Sequence, residues 1–318
     1  MYDIITIGSS LIDSFIKSDD FSMRSGVVNT TDETNLLGSE ICMPYGKKIE
    51  VSEYLIRTGG GAGNTAVGFA RMGFKTGIIS EMGKDVLSQI ILDDFRKEFV
   101  STNLIISEKQ EKTGGSIILV GKDGGRTVMV HRGASSMLDP EDIPTEIISR
   151  VNWIHLSSIS GRLETLELIF KTLKKTGKLL SWNPGSQELK LILQGKLDLN
   201  NIPCEMMFVN SQEWESVKSK QQEILNNFKH VIITKGDQGG EVYLHGKVEV
   251  KFNSEQVESV DDTGAGDSFA VGFVAAHLKG QNLDEACRWG KENSLSVIQQ
   301  VGAKPGLLTI DQIKVDVA

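Results

Sequence analysis

The residues best equipped for chemistry stand together in the run Asp261-Asp262-Thr263-Gly264-Ala265-Gly266-Asp267-Ser268-Phe269-Ala270, which leads into an apolar helical stretch, 271–278. Small residues at a helix start leave backbone N–H groups exposed, and the helix dipole favours negative charge at that end. Gly264, Ala265 and Gly266 are therefore expected to form an amide anion hole suited to a transferring phosphoryl group. Asp267, in or just before the first turn, is placed to take a proton from an attacking hydroxyl. Phosphoryl transfer asks for little beyond a base, positioning and electrostatic stabilisation. Taken alone, the same residues also read as a tight turn in which Asp267 caps a helix.

A second glycine cluster, Gly59-Gly60-Gly61-Ala62-Gly63-Asn64-Thr65-Ala66, precedes another helical pattern. Gly59 and Gly60 would let the backbone approach a ligand closely, and Asn64 could bond substrate hydroxyls. A glycine turn capped by Asn64 is the alternative. Asn210 and Glu213 have capping-box spacing. The five histidines show no metal-ligand spacing, and Cys42, Cys204 and Cys287 lie far apart with no C-x-x-C, which suits a reducing cytoplasm. Thirty-four basic against 42 acidic residues give a net charge of −8, which argues against nucleic-acid binding. With 39% hydrophobic and 24% charged residues the chain reads as globular, neither disordered nor membrane-spanning. Gly8 alone does not give the G-x-G-x-x-G of a dinucleotide-binding oxidoreductase.

Positioning these residues requires an α/β scaffold. Short apolar runs at 4–8, 76–80, 153–157, 178–181, 207–210 and 231–234 alternate with helical patterns, which predicts a mostly parallel sheet covered by helices. Helices are predicted over 64–72, stopped by Gly73, and over 85–99, with Val86, Ile90, Phe95 and Phe99 on one face. A third, 283–301, starts with Asn282 and Glu285 in capping-box spacing. Residues 15–57 and 115–131 break the alternation, the latter through a hairpin turn at Asp123-Gly124-Gly125. Such strands suit a flap over a cleft or a dimer contact.

Asp-Thr-Gly-Ala-Gly-Asp-Ser-Phe ahead of an apolar helix resembles the C-terminal signature of the PfkB or ribokinase-like carbohydrate kinases, and the glycine cluster at 59–66 resembles their N-terminal signature. The resemblance runs from Asp13 to Ala303. It implies a three-layer α/β ribokinase-like fold, with residues 1–14, 58–112 and 132–318 as the main domain and 15–57 and 113–131 as a β lid. Asp13 matches the family's substrate-binding acid, beside Gly59, Gly60 and Asn64; as a bare sequence feature it equally reads as a solvated loop acid. Asn210-Ser211-Gln212-Glu213 matches the N-x-x-E motif, in which the acid helps hold magnesium, usually through water. Thr234-Lys235-Gly236-Asp237-Gln238-Gly239 is similar to the nucleotide loop, with Lys235 read as a surface charge. Asn293 falls where relatives form the adenine pocket, and Asp261 with Thr263 where many bind an activating monovalent cation such as K+.

The resemblance thus implies an ATP- and Mg2+-dependent kinase acting on a hydroxyl of a sugar or nucleoside, with Asp267 as base. Gly61 stands where ribokinases commonly carry Lys, and 184–187 somewhat resembles a Pro-x-x-Gln segment of nucleoside-phosphorylating members. A nucleoside kinase, or a catalytically silent regulator of the same fold, is the alternative. No membrane partner is expected, and relatives whose lids clasp each other bring a homodimer into view.

Overall fold

The computed structural model describes residues 1–29, 35–121 and 125–314, and absences stated below refer to these. They form two compact units: Met1–Leu11, Thr58–Gly114 and Arg132–Ala318 in the larger, Ile12–Arg57 and Gly115–His131 in the smaller. In chain order the strands begin β1 (Ile4–Ile7), β2 (Leu11–Lys17), β3 (Ser22–Asn29), β4 (Asn35–Cys42), β5 (Glu53–Gly59), β6 (Thr76–Ile79), β7 (Glu81–Gly83) and β8 (Ile106–Glu108). They continue as β9 (Gly115–Val120), β10 (Arg126–His131), β11 (Trp153–Leu156), β12 (Leu179–Trp182), β13 (Cys204–Asn210), β14 (His230–Thr234), β15 (Gly240–Leu244) and β16 (Lys247–Phe252). The helices are α1 (Gly61–Arg71), α2 (Val86–Lys97), α3 (Thr145–Ile148), α4 (Leu163–Thr176), α5 (Ser186–Leu193), α6 (Ser211–Ser216), α7 (Gln221–Asn227), α8 (Ala265–Leu278), α9 (Leu283–Ile298) and α10 (Ile310–Lys314).

The larger unit is built on one sheet of order β16-β15-β14-β13-β12-β11-β1-β6. From β6 to β14 every neighbouring pair is parallel, and β15 and β16 close one edge as an antiparallel hairpin. All six expected core strands lie in this sheet. Their period-2 alternation separates two cores. Ile5, Ile154, Met207 and Val231 pack with α4 and α5, while Ile4, Trp153, Met206 and Ile232 pack with α1, α8 and α9. A strand buried on both faces must read as a continuous apolar run, which is why these segments were visible in the sequence. No described helix is long and apolar enough to cross a membrane.

Two helix expectations need correction. Asp85 caps α2 through a capping box with Ser88, but the inward face is Ser88, Ile91 and Phe95. Val86 is 75% exposed and Phe99, which has left the helix with φ of 58°, is 91% exposed. Helical phase from a capped start puts positions 3, 6 and 10 inward, and single apolar residues on a surface are common. In α9, Asn282 Oδ1 accepts from Glu285 N at 2.9 Å, while the Glu285 carboxylate pairs with Arg288.

The smaller unit holds a four-stranded sheet of order β10-β9-β2-β5 and the β3-β4 pair. β9 and β10 pair antiparallel from Gly115↔His131 to Arg126↔Val120. Asp123 and Gly124 of the expected turn lie outside the described residues. The unit boundaries differ from the predicted ones because Ile12–Ser14 pair with Gly115–Ile117 in this sheet. Thr113 belongs to the larger unit, where its N and Oγ1 both bond Asp85 at 2.8 Å.

Candidate active site

Gly264 caps α8 with φ of +81°, and a Cβ there would lie 2.3 Å from Ala303 Cβ, so the close turn admits only glycine. The helix begins at Ala265, and Asp267 falls in its first turn. No side chain caps this helix. The Asp267 carboxylate instead accepts from Asn64 Nδ2 at 2.8 Å. Asn64 likewise caps nothing: α1 begins one turn earlier, at Gly60 with φ of +90°. A Cβ on Gly60 would meet Ser9 O at 2.5 Å. The close approach anticipated for a ligand at Gly60 is thus an approach of the chain to its own first loop. The effect is to seat the first turn of α1, with Gly63 N bonded to Ser9 O at 3.2 Å, and bring Asn64 to Asp267.

Burial pushes the Asp267 carboxyl up to about 6; the Asn64 hydrogen bond pulls against this and the nearby Glu213 charge adds to it. Glu213 is also raised by burial, opposed by its bond from the Asn210 amide. That bond, 2.9 Å, is half of a complete capping box at the start of α6, the other half running from Glu213 N to Asn210 Oδ1. Two carboxyls both raised by burial, one of them further raised by the other's charge, form a place where a cation lowers the energy. Among the described residues no group of three or more Asp, Glu, His or Cys could hold a metal alone. The donors therefore fit a strongly hydrated ion such as magnesium, which keeps several waters and takes one or two carboxylates plus phosphate oxygens.

A pocket of about 180 Å³ opens at the C-terminal ends of β13 and β14, lined by Asn183, Asn210, Glu213, Thr234 and Asp267 together with Gly264–Gly266. A Cβ at Gly266 would meet nothing within 4 Å, so the chain borders open space at this position. A second pocket, about 100 Å³, shares Thr234, Ala265 and Gly266 and adds Gly236, Gly239, Phe252, Lys291 and Ser294. The last three were missed in the sequence because they sit on β16 and α9 without a motif. Lys235 pairs with Glu241 at 3.2 Å. Asn293 is fully buried, giving Nδ2 to Ser268 O at 2.7 Å and taking Leu308 N at 2.9 Å, so its side chain braces the wall behind the pocket. Asp261, 2% exposed, holds Thr263 N at 2.9 Å and Gly302 N at 2.7 Å. A larger groove, about 610 Å³, runs along α4 beside Lys171 and Ile202 and shares no residue with this site.

Asp13 lies in β2 of the smaller unit, 6% exposed, and accepts from Ser116 Oγ, so it is not a solvated loop acid. On the larger unit, a Cβ at Gly61 would sit 2.9 Å from Ser157 Cβ and 3.7 Å from Asp267 Oδ1. Ser157 Oγ and Asn64 Oδ1 are buried and bonded to no protein group. Ser157 was passed over as a strand end. Glu188, fully buried, was missed as well: it binds Ser158 Oγ, Ile159 N, Gly161 N and Gly185 N, knitting the loops after β11 and β12.

The sheet order, its helical layers on both faces and the small β unit define a ribokinase-like α/β fold. The chain belongs to the pfkB family of carbohydrate kinases, whose pattern matches residues 30–310. It is 27% identical over 298 residues to a ribokinase of Staphylococcus aureus, covering 90% of this chain and 97% of that protein. A nucleoside kinase of Methanothermobacter thermautotrophicus is 23% identical over 254 residues, covering 78% and 81%. The solved structure of Arabidopsis thaliana ribokinase complexed with ribose and ATP has a TM-score of 0.76 at 18% identity, covering 98% of this chain and 97% of that one.

Proposed function

We propose that this chain transfers the γ-phosphoryl group of ATP to a hydroxyl of a free sugar or a nucleoside, with Asp267 as the base. One observation carries the reading: a carboxyl raised to about 6 sits in the first turn of α8, oriented by Asn64 and adjoining the Gly264–Gly266 amides. A base with that proton affinity is mostly ionised at neutral pH yet accepts a proton more readily than an ordinary aspartate. As the acceptor hydroxyl gives its proton to Asp267, its oxygen bonds the γ-phosphorus and the bond to the ADP oxygen breaks. Backbone N–H groups of the cradle, at a helix N-terminus, stabilise the charge on the transferring group. Magnesium, held by the Glu213 side of the pocket, would neutralise phosphate charge during transfer.

The nucleotide base and ribose are assigned to the pocket beyond Ala265 and Gly266, with Thr234, Gly236 and Gly239 along one wall and Phe252 and Ser294 along the other. Acceptor hydroxyls are assigned to Asn64 Oδ1, Ser157 Oγ and, from the smaller unit, Asp13. The smaller unit would act as the lid that excludes water during transfer. K+ at Asp261 and Thr263 would offset the buried carboxylate there, and a K+ titration of turnover tests it. Tyr54, Ile56, Val128 and Val130, all over 40% exposed on the small sheet, are assigned to contact with a second copy, which sedimentation would detect as a dimer. Three separated free cysteines fit a reducing cytoplasm.

ADP release with magnesium-ATP is to be measured against ribose, fructose, adenosine, inosine, cytidine and fructose 6-phosphate. Turnover on a sugar or nucleoside, lost in Asp267→Asn, is the expected result. Turnover on fructose 6-phosphate alone overturns the acceptor class, and silence across the panel with ATP bound favours a regulator of the same fold.

A further inference from the structure

Lys304 is 5% exposed, and a buried ammonium is unfavourable unless it is paired and hydrogen-bonded. Its Nζ meets Asp94 Oδ2 at 2.8 Å and Thr58 Oγ1 at 2.9 Å, and lies 4.8 Å from the centre of the Phe95 ring. Thr58 in turn donates to Asp94 at 2.5 Å. Burial alone would raise the Asp94 carboxyl, but the charge and hydrogen bond of Lys304 outweigh it and the group is held below the usual carboxylate range. This triad is part of neither pocket of the site.

Its connections lead into both halves of that site. Thr58 is followed directly by the glycine turn whose Gly60 O accepts from Asn64 N at 2.8 Å, and Asn64 holds Asp267. On the other side, Lys304 follows Gly302 and Ala303. Gly302 N is tied through Asp261 to Thr263 N, and Ala303 packs onto Gly264 at the head of the amide cradle. Arg71 fixes the same segment by donating to Lys304 O at 3.1 Å and Leu307 O at 2.7 Å while paired with Glu98.

We propose that Lys304 is a positioning residue that holds the turn carrying Asn64 in register with the cradle ahead of Asp267. This rests on Asp267 being the base. The ion pair itself ties the 302–304 segment to Asp94 of α2, and both of its members bond Thr58 Oγ1, so through Thr58 the segment behind the cradle is joined to the turn that carries Asn64. Because that bond lowers the proton affinity of Asp267, loosening it raises the pH at which the base is protonated.

The test is the acid limb of the pH–rate profile, with kcat and KM resolved. Lys304→Met is expected to lower kcat by roughly 10- to 100-fold, the scale of a small misplacement at a reacting centre, and to move the acid limb upward from about 6. Thr58→Val, which keeps the Lys304–Asp94 pair and removes only the tie to the glycine turn, is expected to move the limb the same way and serves if Lys304→Met does not fold. Leu173→Ala, in the opposite core, is expected to lower Tm and leave the limb in place. An unmoved limb in both Thr58→Val and a folded Lys304→Met overturns the proposal. Retained turnover in Asp267→Asn would instead remove the reading beneath it.

Discussion

Replacing Asp267 by Asn should make the folded protein more stable at alkaline pH while abolishing most of its turnover. The carboxyl rises from 3.8 to about 6 on folding, chiefly through burial. Below pH 3.8 both folded and unfolded chains carry the proton and the shift has no effect. Between 3.8 and about 6 the folded chain retains a proton that the unfolded chain has released, so stability falls as pH rises. Above about 6 the buried charge is fully present, and a shift of this size at 1.36 kcal/mol per unit corresponds to about 3 kcal/mol. Asn is close in shape and stays neutral, so the variant should unfold at higher temperature than the wild type at pH 8, with the two converging near pH 3.5. Thermal unfolding at both pH values, without nucleotide, measures this. Turnover in the panel assay should fall by roughly 10² to 10⁴, the range for loss of a general base. A variant no more stable at pH 8, or one whose advantage persists unchanged in acid, would refute the reasoning that this carboxyl is held ionised against its surroundings.

Glu213→Gln should raise the magnesium concentration for half-maximal turnover by about 10-fold or more, read by titration at saturating ATP; an unchanged requirement removes Glu213 from the metal side. Fully buried His155 is held neutral, its imidazole pushed down to about 3 by burial alone. The unfolded chain therefore gains a proton first as pH falls below 6.5, and by pH 4.5 this should cost about 3 kcal/mol. His155→Phe, which keeps a ring against Phe69, should flatten the acid side of the stability profile, as denaturant unfolding at pH 7 and 4.5 would register. Gly61→Ala places a Cβ 2.9 Å from Ser157 Cβ and should lower turnover and raise the KM for the acceptor; unchanged kinetics would show that Ser157 gives way without disturbing the site.

What the sequence disclosed follows the reach of each interaction. The parallel strands were legible because burial on both faces leaves no charged residue in runs such as Ile4 to Ile7, whose one polar side chain, Thr6, is buried and bonded to Ala62 O. Asp267 was legible because its cradle is local: three small residues and a helix start lie next to one another in the chain. The Asn64–Asp267 bond, whose partners are 203 positions apart, left no trace, and neither did Ser157, whose importance comes from standing against Gly61. The glycine pattern marked a place where the chain runs unusually close to something without saying whether that was a ligand or Ser9 O. On α2 the error was one of phase, since Val86, Ile90 and Phe99 are apolar yet face outward. Phe252, Lys291 and Ser294 could have been found only through β16 and α9, whose places depend on the sheet edge.

The distance along the chain between the partners of the Asn64–Asp267 bond also bears on how the protein is made. The N-terminal partner leaves the ribosome long before the base exists, and Arg71 waits still longer for the carbonyls of Lys304 and Leu307. Contacts of such sequence separation form late. A nascent or truncated chain that has folded its first β-α-β units can present the acceptor-side turn, but it has neither base nor cradle. With Asp267 as the proposed base, phosphoryl transfer would wait until the chain has been made past Leu307, and a shorter nascent chain would have no means of hydrolysing ATP unproductively.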